Sequence, residues 1–332
     1  RMVNLAFPPD EVDSERQVVL EERRQRTEND PRGYFFEQMK TLLFPNHPYG
    51  NPVIGWLHEM EALSRENVRN FYNRWYAPNN AVLIVAGDIT MDALLPMAEE
   101  IYGKIPARNI PERIFSEVPP LPANPRIVYE NDTIKQAAFR RFYRVPSLNQ
   151  NMDEAHALEV LSEIMGGGAT ARLYKSLVMD QKIATSADFS YGSTALSDGR
   201  LYIGATPAGD VTLETLEKAI ENEIQILLND SITQDELDNA KRRMIESAVF
   251  ARDSISGPAM IVGHRYLTGS SLNDIEYWPD RISAVSIEDI MAVAQKYLQN
   301  NKSEKRFYVT GYLLPAPELQ EQAQNDDEES AP

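Results

Sequence analysis

The chain has 332 residues, of which 50 are acidic, 33 basic and none cysteine, and its formal net charge is −17. The 42% of hydrophobic residues is that of a globular protein with room for two or three domains, and excludes collagen-like or wholly disordered chains. No apolar run reaches about 18 residues, the acidity disfavours nucleic-acid binding, and the lack of cysteine excludes disulfide scaffolds and thiolate sites.

The start of the chain has the spacing of a helix end. Residues 1–7 place apolar side chains at helical intervals before Pro8 and Pro9, with no initiator methionine and no signal peptide. We therefore expect a fragment of a longer protein. A helix is predicted over 10–28, because acids lie near its start and arginines near its end, as the helix dipole favours.

The rest of the first half predicts helices, one strand and a linker. Further helices are predicted over 32–44, 64–76 and 91–103, a rigid loop over 45–52, and a buried strand over the apolar run 81–87. Prolines then crowd the segment 106–125, which indicates a stiff linker. The predicted divisions are the remainder of an N-terminal domain (1–105), the linker (106–125), a C-terminal domain (126–315) and an acidic tail (316–332) expected to be disordered.

The second half mixes strands and helices without a regular βαβ alternation. Strands are predicted over 136–145, 186–191, 201–206 and 305–312, and helices over 153–165, from the glycine-rich turn to about 179, and over 213–228, 233–252 and 286–299. This order favours an α+β fold. The helix and strand over 64–87 have a counterpart over 286–311 with matching apolar positions, which indicates two homologous domains.

Two glutamates on the first helix are the strongest candidates for chemistry. Glu15 and Glu22 are one heptad apart, and Val18 lies between them on the same face. The pair fits a buried metal ligand with a second acid behind it. The alternative is a solvated acidic face, because other acids are close by. One glutamate cannot hold a catalytic zinc ion, which needs three protein ligands.

Other motifs give weaker signals. His58 and Glu61 follow H-x-x-E spacing, but Ala62 stands where a helical zinc site needs a second histidine. His47, His156 and His264 are each interpreted as satisfied surface or core residues. The run Gly166-Gly167-Gly168 lacks the Lys-Ser/Thr of a phosphate loop and follows a helix, so it is interpreted as a helix connection.

Four segments together resemble the insulinase/pitrilysin-like zinc metallopeptidases, in particular the short bacterial two-domain members. They are Glu15–Glu22 with Asn29-Asp30-Pro31, His47–Gly55, Phe71–Asp88 and Gly166–Leu173. The resemblance implies an α+β fold of two homologous domains, each with a mainly antiparallel sheet packed against helices (the metallopeptidase-type α/β roll), the first being incomplete here.

The resemblance also implies a zinc site and its ligands. In this family two histidines of an inverted H-x-x-E-H motif and a later glutamate hold zinc, and the glutamate of the motif is the general base. Glu22 corresponds to the later zinc ligand and Glu15 to the acid that orients the site. No H-x-x-E-H string occurs in the sequence, so no catalytic residue is assigned in this chain. We expect the chain alone neither to bind zinc tightly nor to cleave peptides.

A second departure concerns substrate binding. Members that grip peptides with the second domain carry an arginine and a tyrosine seven residues apart, and Val178 and Thr185 stand at those positions. The resemblance therefore implies the metal-bearing subunit of a heterodimer, acting on peptides with a homologous subunit that supplies the pair. The alternative is a non-catalytic scaffold homologue. The compartment, periplasm or cytoplasm, stays open.

Overall fold

The computed structural model describes residues 2–114, 117–119, 123–299 and 307–317, so part of the predicted linker and the tail from 318 onward lie outside them. The described residues mix helices with one sheet, which confirms the α+β class. The helices are α1 (Pro9–Arg23), α2 (Pro31–Leu43), α3 (Leu57–Glu61), α4 (Arg65–Trp75), α5 (Met91–Tyr102), α6 (Met152–Gly166), α7 (Arg172–Tyr174), α8 (Leu213–Asp230), α9 (Gln234–Phe250), α10 (Gly257–Leu267), α11 (Leu272–Glu276), α12 (Trp278–Ala284) and α13 (Ile287–Leu298). None of these described helices is long and apolar enough to cross a membrane.

Side-chain caps explain where several helices begin. Ser64, Thr233 and Ser286 each accept a hydrogen bond from the backbone N–H three residues later, at the first turns of α4, α9 and α13. Such a cap satisfies a donor that the helix itself leaves without a partner. These caps stand one residue before each helix and agree with the predicted starts to within two residues.

The sheet is mixed and has the strand order β1-β5-β2-β4-β3. Its strands are β1 (Arg126–Asn131), β2 (Ala138–Val145), β3 (Ala184–Gly192), β4 (Gly199–Pro207) and β5 (Tyr308–Pro315). β1 pairs with β5 in parallel, and the other pairs are antiparallel. Phe142 of β2 is thereby opposite Tyr202 of β4.

Helices pack on both faces of the sheet. One core holds α6, α8 and α13 against β2, β3 and β4. The second, smaller core places α2 over β1, β5 and β2, with Phe35 and Met39 buried. Gly311 permits this approach, because a Cβ there would lie 2.4 Å from Phe35 Cζ and 2.6 Å from Met39 Sδ. A helix from the first half of the chain therefore shares a core with the sheet of the second half.

The prediction of a buried strand over 81–87 is wrong for the described structure. Residues 81–86 are exposed and, among the described residues, take no strand partner. Ile84 lies against α10, where a Cβ on Gly263 would be 3.2 Å from its Cδ1. An apolar run reports a tendency to be buried, but burial also needs neighbouring strands. The counterpart β5 has such neighbours on both sides.

Several described elements have no counterpart among the predicted ones. β1 lies outside every predicted strand, and α10, α11 and α12 fall in the interval 253–285, for which the sequence predicts no element. β1 alternates exposed and partly buried residues, a pattern that six residues barely reveal. The three helices are short or carry exposed apolar residues, so their amphipathic pattern is weak.

Candidate metal-ligand helix

Helix α1 carries both predicted glutamates, and local sequence explains its bounds. Pro9 occupies the first turn, where its missing N–H costs nothing, and Asp10 and Glu11 complement the positive end of the helix dipole. The helix continues as a wider turn over Arg24–Glu28. Asp30 then accepts a hydrogen bond from the backbone N–H of Arg32 at 3.0 Å and caps α2.

Glu22 lies half-buried near the end of α1. One of its carboxylate oxygens, Oε1, is 2.9 Å from Nη2 of Arg26, one turn further along. Both side chains are substantially exposed, so this ion pair is weak and can be exchanged for another ligand at low cost. Glu22 is thus available to a metal ion, but nothing in its described surroundings preorganises it as a ligand.

Glu15 lies at the surface and does not contact Glu22. Two helical turns separate the pair, about 10 Å along the axis, and Val18 between them is 57% exposed. Glu15 borders a cavity of about 540 Å³, whose walls also include Val12 and Val19. In the described structure the face with Glu15, Val18 and Glu22 is therefore open to solvent, and Glu15 lies at the border between this face and the cavity.

Arg23 fixes the end of α1 and is not among the candidate residues predicted from the sequence. Its side chain is 4% exposed and donates two hydrogen bonds to Glu37 of α2, at 3.0 and 3.1 Å, and one to the backbone oxygen of Gly55 at 2.6 Å. The hydrogen bonds with Glu37, opposed by burial, raise the pKa of the Arg23 guanidinium. This contact joins the end of α1 to α2 next to Glu22. The only sequence signal was an arginine beside the candidate ligand.

The four histidines have surroundings that do not involve Glu15 or Glu22. Nδ1 of buried His47 accepts the backbone N–H of Tyr49 at 3.1 Å, and burial lowers the pKa of the His47 imidazole. His58 is exposed on α3. Buried His156 contacts Glu159 on its own helix at 3.1 Å, and His264 is exposed on α10. These placements fit the interpretation as surface or core residues, except that Nε2 of buried His156 has no hydrogen-bond partner within the described residues, so this histidine is not fully satisfied.

The described residues do not form a zinc site around Glu22. Within them, no three side chains of His, Asp or Glu are grouped so that they could hold a metal ion. A catalytic zinc ion needs three protein ligands, and α1 offers one. The donor set of the described chain alone does not fit the metal that the resemblance implies.

Val178 and Thr185, at the positions of the family's arginine and tyrosine, have structural contacts only. Val178 packs against the larger core. Thr185 is exposed on β3, and its hydroxyl lies 3.4 Å from the carbonyl oxygen of Thr206. A valine offers no hydrogen bond, and the threonine hydroxyl is too short to replace a tyrosine.

The glycine-rich turn connects helices, as the sequence predicted. α6 ends at Gly166, where a Cβ would lie 2.0 Å from the carbonyl oxygen of Phe189 in β3. Arg172 follows and donates to both carboxylate oxygens of Glu236 on α9, at 2.6 and 2.7 Å. The turn therefore ties α6, β3 and α9 together.

Several known proteins are similar to this chain in sequence or in fold. The zinc protease PqqE of Helicobacter pylori is 26% identical over 313 residues, covering 92% of this chain and 68% of the relative. A crystal structure of a protease from Helicobacter pylori superposes with a TM-score of 0.85 at 24% identity, covering 95% of this chain and 74% of that one. The first half of the periplasmic protease PqqL from Escherichia coli gives 0.77 at 18% identity, covering 97% and 69%.

These likenesses establish a shared fold, and the chain spans about two thirds of the length of the curated relatives it matches. A family model described as the peptidase M16 inactive domain matches residues 62–244, more than half of the chain. The resemblance to insulinase/pitrilysin-like metallopeptidases is thereby confirmed, and the chain belongs to the peptidase M16 family.

Proposed function

We propose that the protein from which this chain derives is a zinc-dependent metalloendopeptidase that hydrolyses peptides, and that Glu22 is one of its zinc ligands. Glu15 is proposed as the acid that orients the site. The observation that carries the proposal is the position of both carboxylates, one heptad apart on α1, in a member of a family whose curated relatives are named zinc proteases. Zinc would supply a Lewis acid and an activated water when bound.

The chain by itself is proposed to be inactive. It supplies one candidate zinc ligand and no general base, since neither the sequence nor the described structure contains an H-x-x-E-H segment. Glu22 is free to exchange its weak ion pair with Arg26 for a metal once other ligands are present. Glu22 would then be one of several residues that hold the metal.

A homologous partner subunit is the second part of the proposal. Val178 and Thr185 cannot replace the arginine and tyrosine that grip peptides in other members, because one is apolar and the other is short. The partner would supply that pair. The first half of the periplasmic protease PqqL from Escherichia coli has the same fold, which is consistent with activity that needs two halves.

A non-catalytic scaffold of the same fold is the competing proposal. The description of the matching family model as an inactive domain favours it. The two proposals differ in the residues encoded upstream of Arg1, since a peptidase needs H-x-x-E-H there and a scaffold does not.

The deciding experiment measures zinc and peptidase activity in the protein encoded by the complete gene. We expect about one zinc ion per metal-bearing subunit, and hydrolysis of a fluorogenic peptide that a chelator abolishes and the homologous partner increases. Glu22→Gln should lower the affinity for zinc at least tenfold. Glu21→Gln is the matched control, because Glu21 is an exposed neighbour that contacts Arg24.

Three results would contradict the proposal. Zinc retained by Glu22→Gln would remove Glu22 from the site. Full activity without a partner would remove the two-chain arrangement. Chelator-sensitive hydrolysis by the 332-residue chain would show that a site exists without further residues.

A further inference from the structure

A groove beside α2 carries two cations that the proposed peptidase site does not use. On β4, Leu201, Ile203 and Ala205 point into the larger core, and Arg200 and Tyr202 alternate with them on the opposite face. α2 covers β1, β5 and β2 on that face. A groove of about 680 Å³ lies between α2 and the strands β3 and β4.

The groove has aromatic walls and two positively charged side chains in its lining. Phe36, Phe142 and Tyr202 contribute rings that lie 5.5 to 6.3 Å from one another. Lys40 of α2 and Arg200 of β4 both line the groove. The Arg200 guanidinium lies over the ring of Phe142, 4.5 Å from its centroid, which holds the cation at the wall.

Within the described residues, neither cation has a carboxylate in ion-pair range. Lys40 donates to the backbone oxygen of Asn51 at 3.2 Å, and no ion pair of Arg200 is found in this part of the chain. Burial, and then the nearby positive charge of Arg200, lower the pKa of the Lys40 ammonium. The two cations thus line the same groove, and the positive charge of Arg200 disfavours the charged form of Lys40.

The carboxylate that also lines the groove is already engaged. Oδ2 of Asp198 is 3.2 Å from Nε of Arg144, and its Oδ1 accepts a hydrogen bond from Gln150 at 2.7 Å. Asp198 therefore does not neutralise Lys40 and Arg200. An incoming anion would relieve their mutual repulsion and gain two charge-assisted contacts.

We infer that this groove binds an acidic peptide segment, whose carboxylates pair with Lys40 and Arg200 while its apolar side chains pack on the aromatic wall. Charge selects this occupant. A chain of net charge −17 repels acidic peptides over most of its surface, so such a peptide binds where cations are locally unpaired. The inference concerns binding alone and stands whether or not the protein hydrolyses peptides.

The test is fluorescence anisotropy with the 332-residue chain and a labelled pentapeptide of sequence Glu-Phe-Glu-Leu-Glu. A Gln-Phe-Gln-Leu-Gln peptide keeps the apolar contacts and removes the charge. We expect roughly tenfold weaker binding of the glutamine peptide, and roughly tenfold weaker binding of the acidic peptide to Lys40→Gln and to Arg200→Gln. Lys104→Gln is the matched control, because Lys104 is exposed elsewhere and changes the net charge equally; its affinity should stay within about twofold of the parent chain.

Three outcomes overturn the inference. They are no measurable binding of the acidic peptide, equal binding of the two peptides, or equal losses in Arg200→Gln and Lys104→Gln. Arg200 is exposed, so its variant should fold, which a thermal melt checks. If Lys40→Gln is poorly folded, Arg200→Gln decides the matter alone.

Discussion

Arg172 and Glu236 form a two-pronged ion pair between the glycine-rich turn and the first turn of α9, with Nε–Oε1 at 2.6 Å and Nη2–Oε2 at 2.7 Å. The same carboxylate accepts the backbone N–H of Thr233 at 2.8 Å and completes a capping box. One side chain therefore caps a helix and anchors a loop, and planar forked pairs of this kind are the stronger ion pairs.

Glu236→Gln should lower the free energy of unfolding at pH 7 by about 1.5–3 kcal/mol, since it weakens a charge-assisted pair. The hydrogen bonds from Arg172, above all, lower the pKa of Glu236 to about 2. The stabilisation is therefore present above the unfolded-state pKa of about 4.3 and is lost as the pH falls towards 2. Urea unfolding of both proteins between pH 7 and pH 2.5 should show the two curves converging. Asp235→Asn, at an exposed neighbouring residue, is the control and should change the free energy of unfolding by only a few tenths of a kcal/mol. If the difference in free energy between Glu236→Gln and the parent chain did not change with pH, the role assigned to Glu236 would be wrong.

Gly311→Ala should destabilise the smaller core. Its new methyl group would overlap Phe35 and Met39, so α2 must move away from β5, at a cost of about 1–3 kcal/mol. Gly192→Ala is the control, because the nearest atom to a Cβ there lies at 3.8 Å, an ordinary contact. Chemical denaturation measures both variants, and equal stabilities would show that α2 does not pack on β5 as described.

Tyr49→Phe should loosen the contact between the His-Pro-Tyr-Gly loop and the loop after β3. The Tyr49 hydroxyl accepts the backbone N–H of Leu196 at 2.8 Å, and the phenylalanine leaves that donor without its acceptor. We expect a loss of about 1 kcal/mol and faster amide exchange at Leu196. Tyr34→Phe is the control, because the Tyr34 ring is exposed, and it should change neither the stability nor the amide exchange at Leu196. If exchange at Leu196 were unchanged in Tyr49→Phe, the role of the Tyr49 hydroxyl would be refuted.

Glu159→Gln should be the most damaging of these substitutions. The buried carboxylate of Glu159 contacts Nδ1 of His156 at 3.1 Å and accepts from Ser193 at 2.7 Å and from Trp278 at 2.9 Å. Although burial opposes it, these hydrogen bonds lower the pKa of Glu159, so the carboxylate is charged in the folded state. Replacing it should cost about 3–5 kcal/mol at pH 7, and less as acid protonates the parent residue.

The control for this substitution is Glu163→Gln on the same helix. Glu163 pairs with Arg243 at a partly exposed site, so its loss should cost at most about 1 kcal/mol. Equal effects of the two substitutions, measured by urea unfolding, would show that Glu159 does not join α6 to α12.

The elements that the sequence predicts correctly are those that depend on a local pattern of residues. Helices with a capping residue and an amphipathic stripe, such as α4, α9 and α13, were located because both signals lie within one element. The α+β class followed from the order of these elements. The strand over 81–87 was wrong because burial depends on neighbours that a local pattern does not contain.

The site was less predictable, because its geometry depends on distant residues. Glu22 could be singled out, but the buried contact of Arg23 with Glu37 required knowledge of how α1 meets α2. Lys40 and Arg200 are far apart in sequence and meet only because α2 lies beside the sheet. The proposed roles of Glu15 and Glu22 remain predictions that the zinc measurement tests.

The exposed segment 81–86 bears on how the chain behaves at high concentration. Val82, Leu83, Ile84 and Val85 are 37–55% exposed and lie outside regular secondary structure, and an exposed apolar run of this kind can seed intermolecular β pairing. A net charge of −17 opposes such encounters by mutual repulsion between copies. The colloidal stability of the chain therefore depends on ionic strength: added salt screens the repulsion and favours self-association through these four side chains.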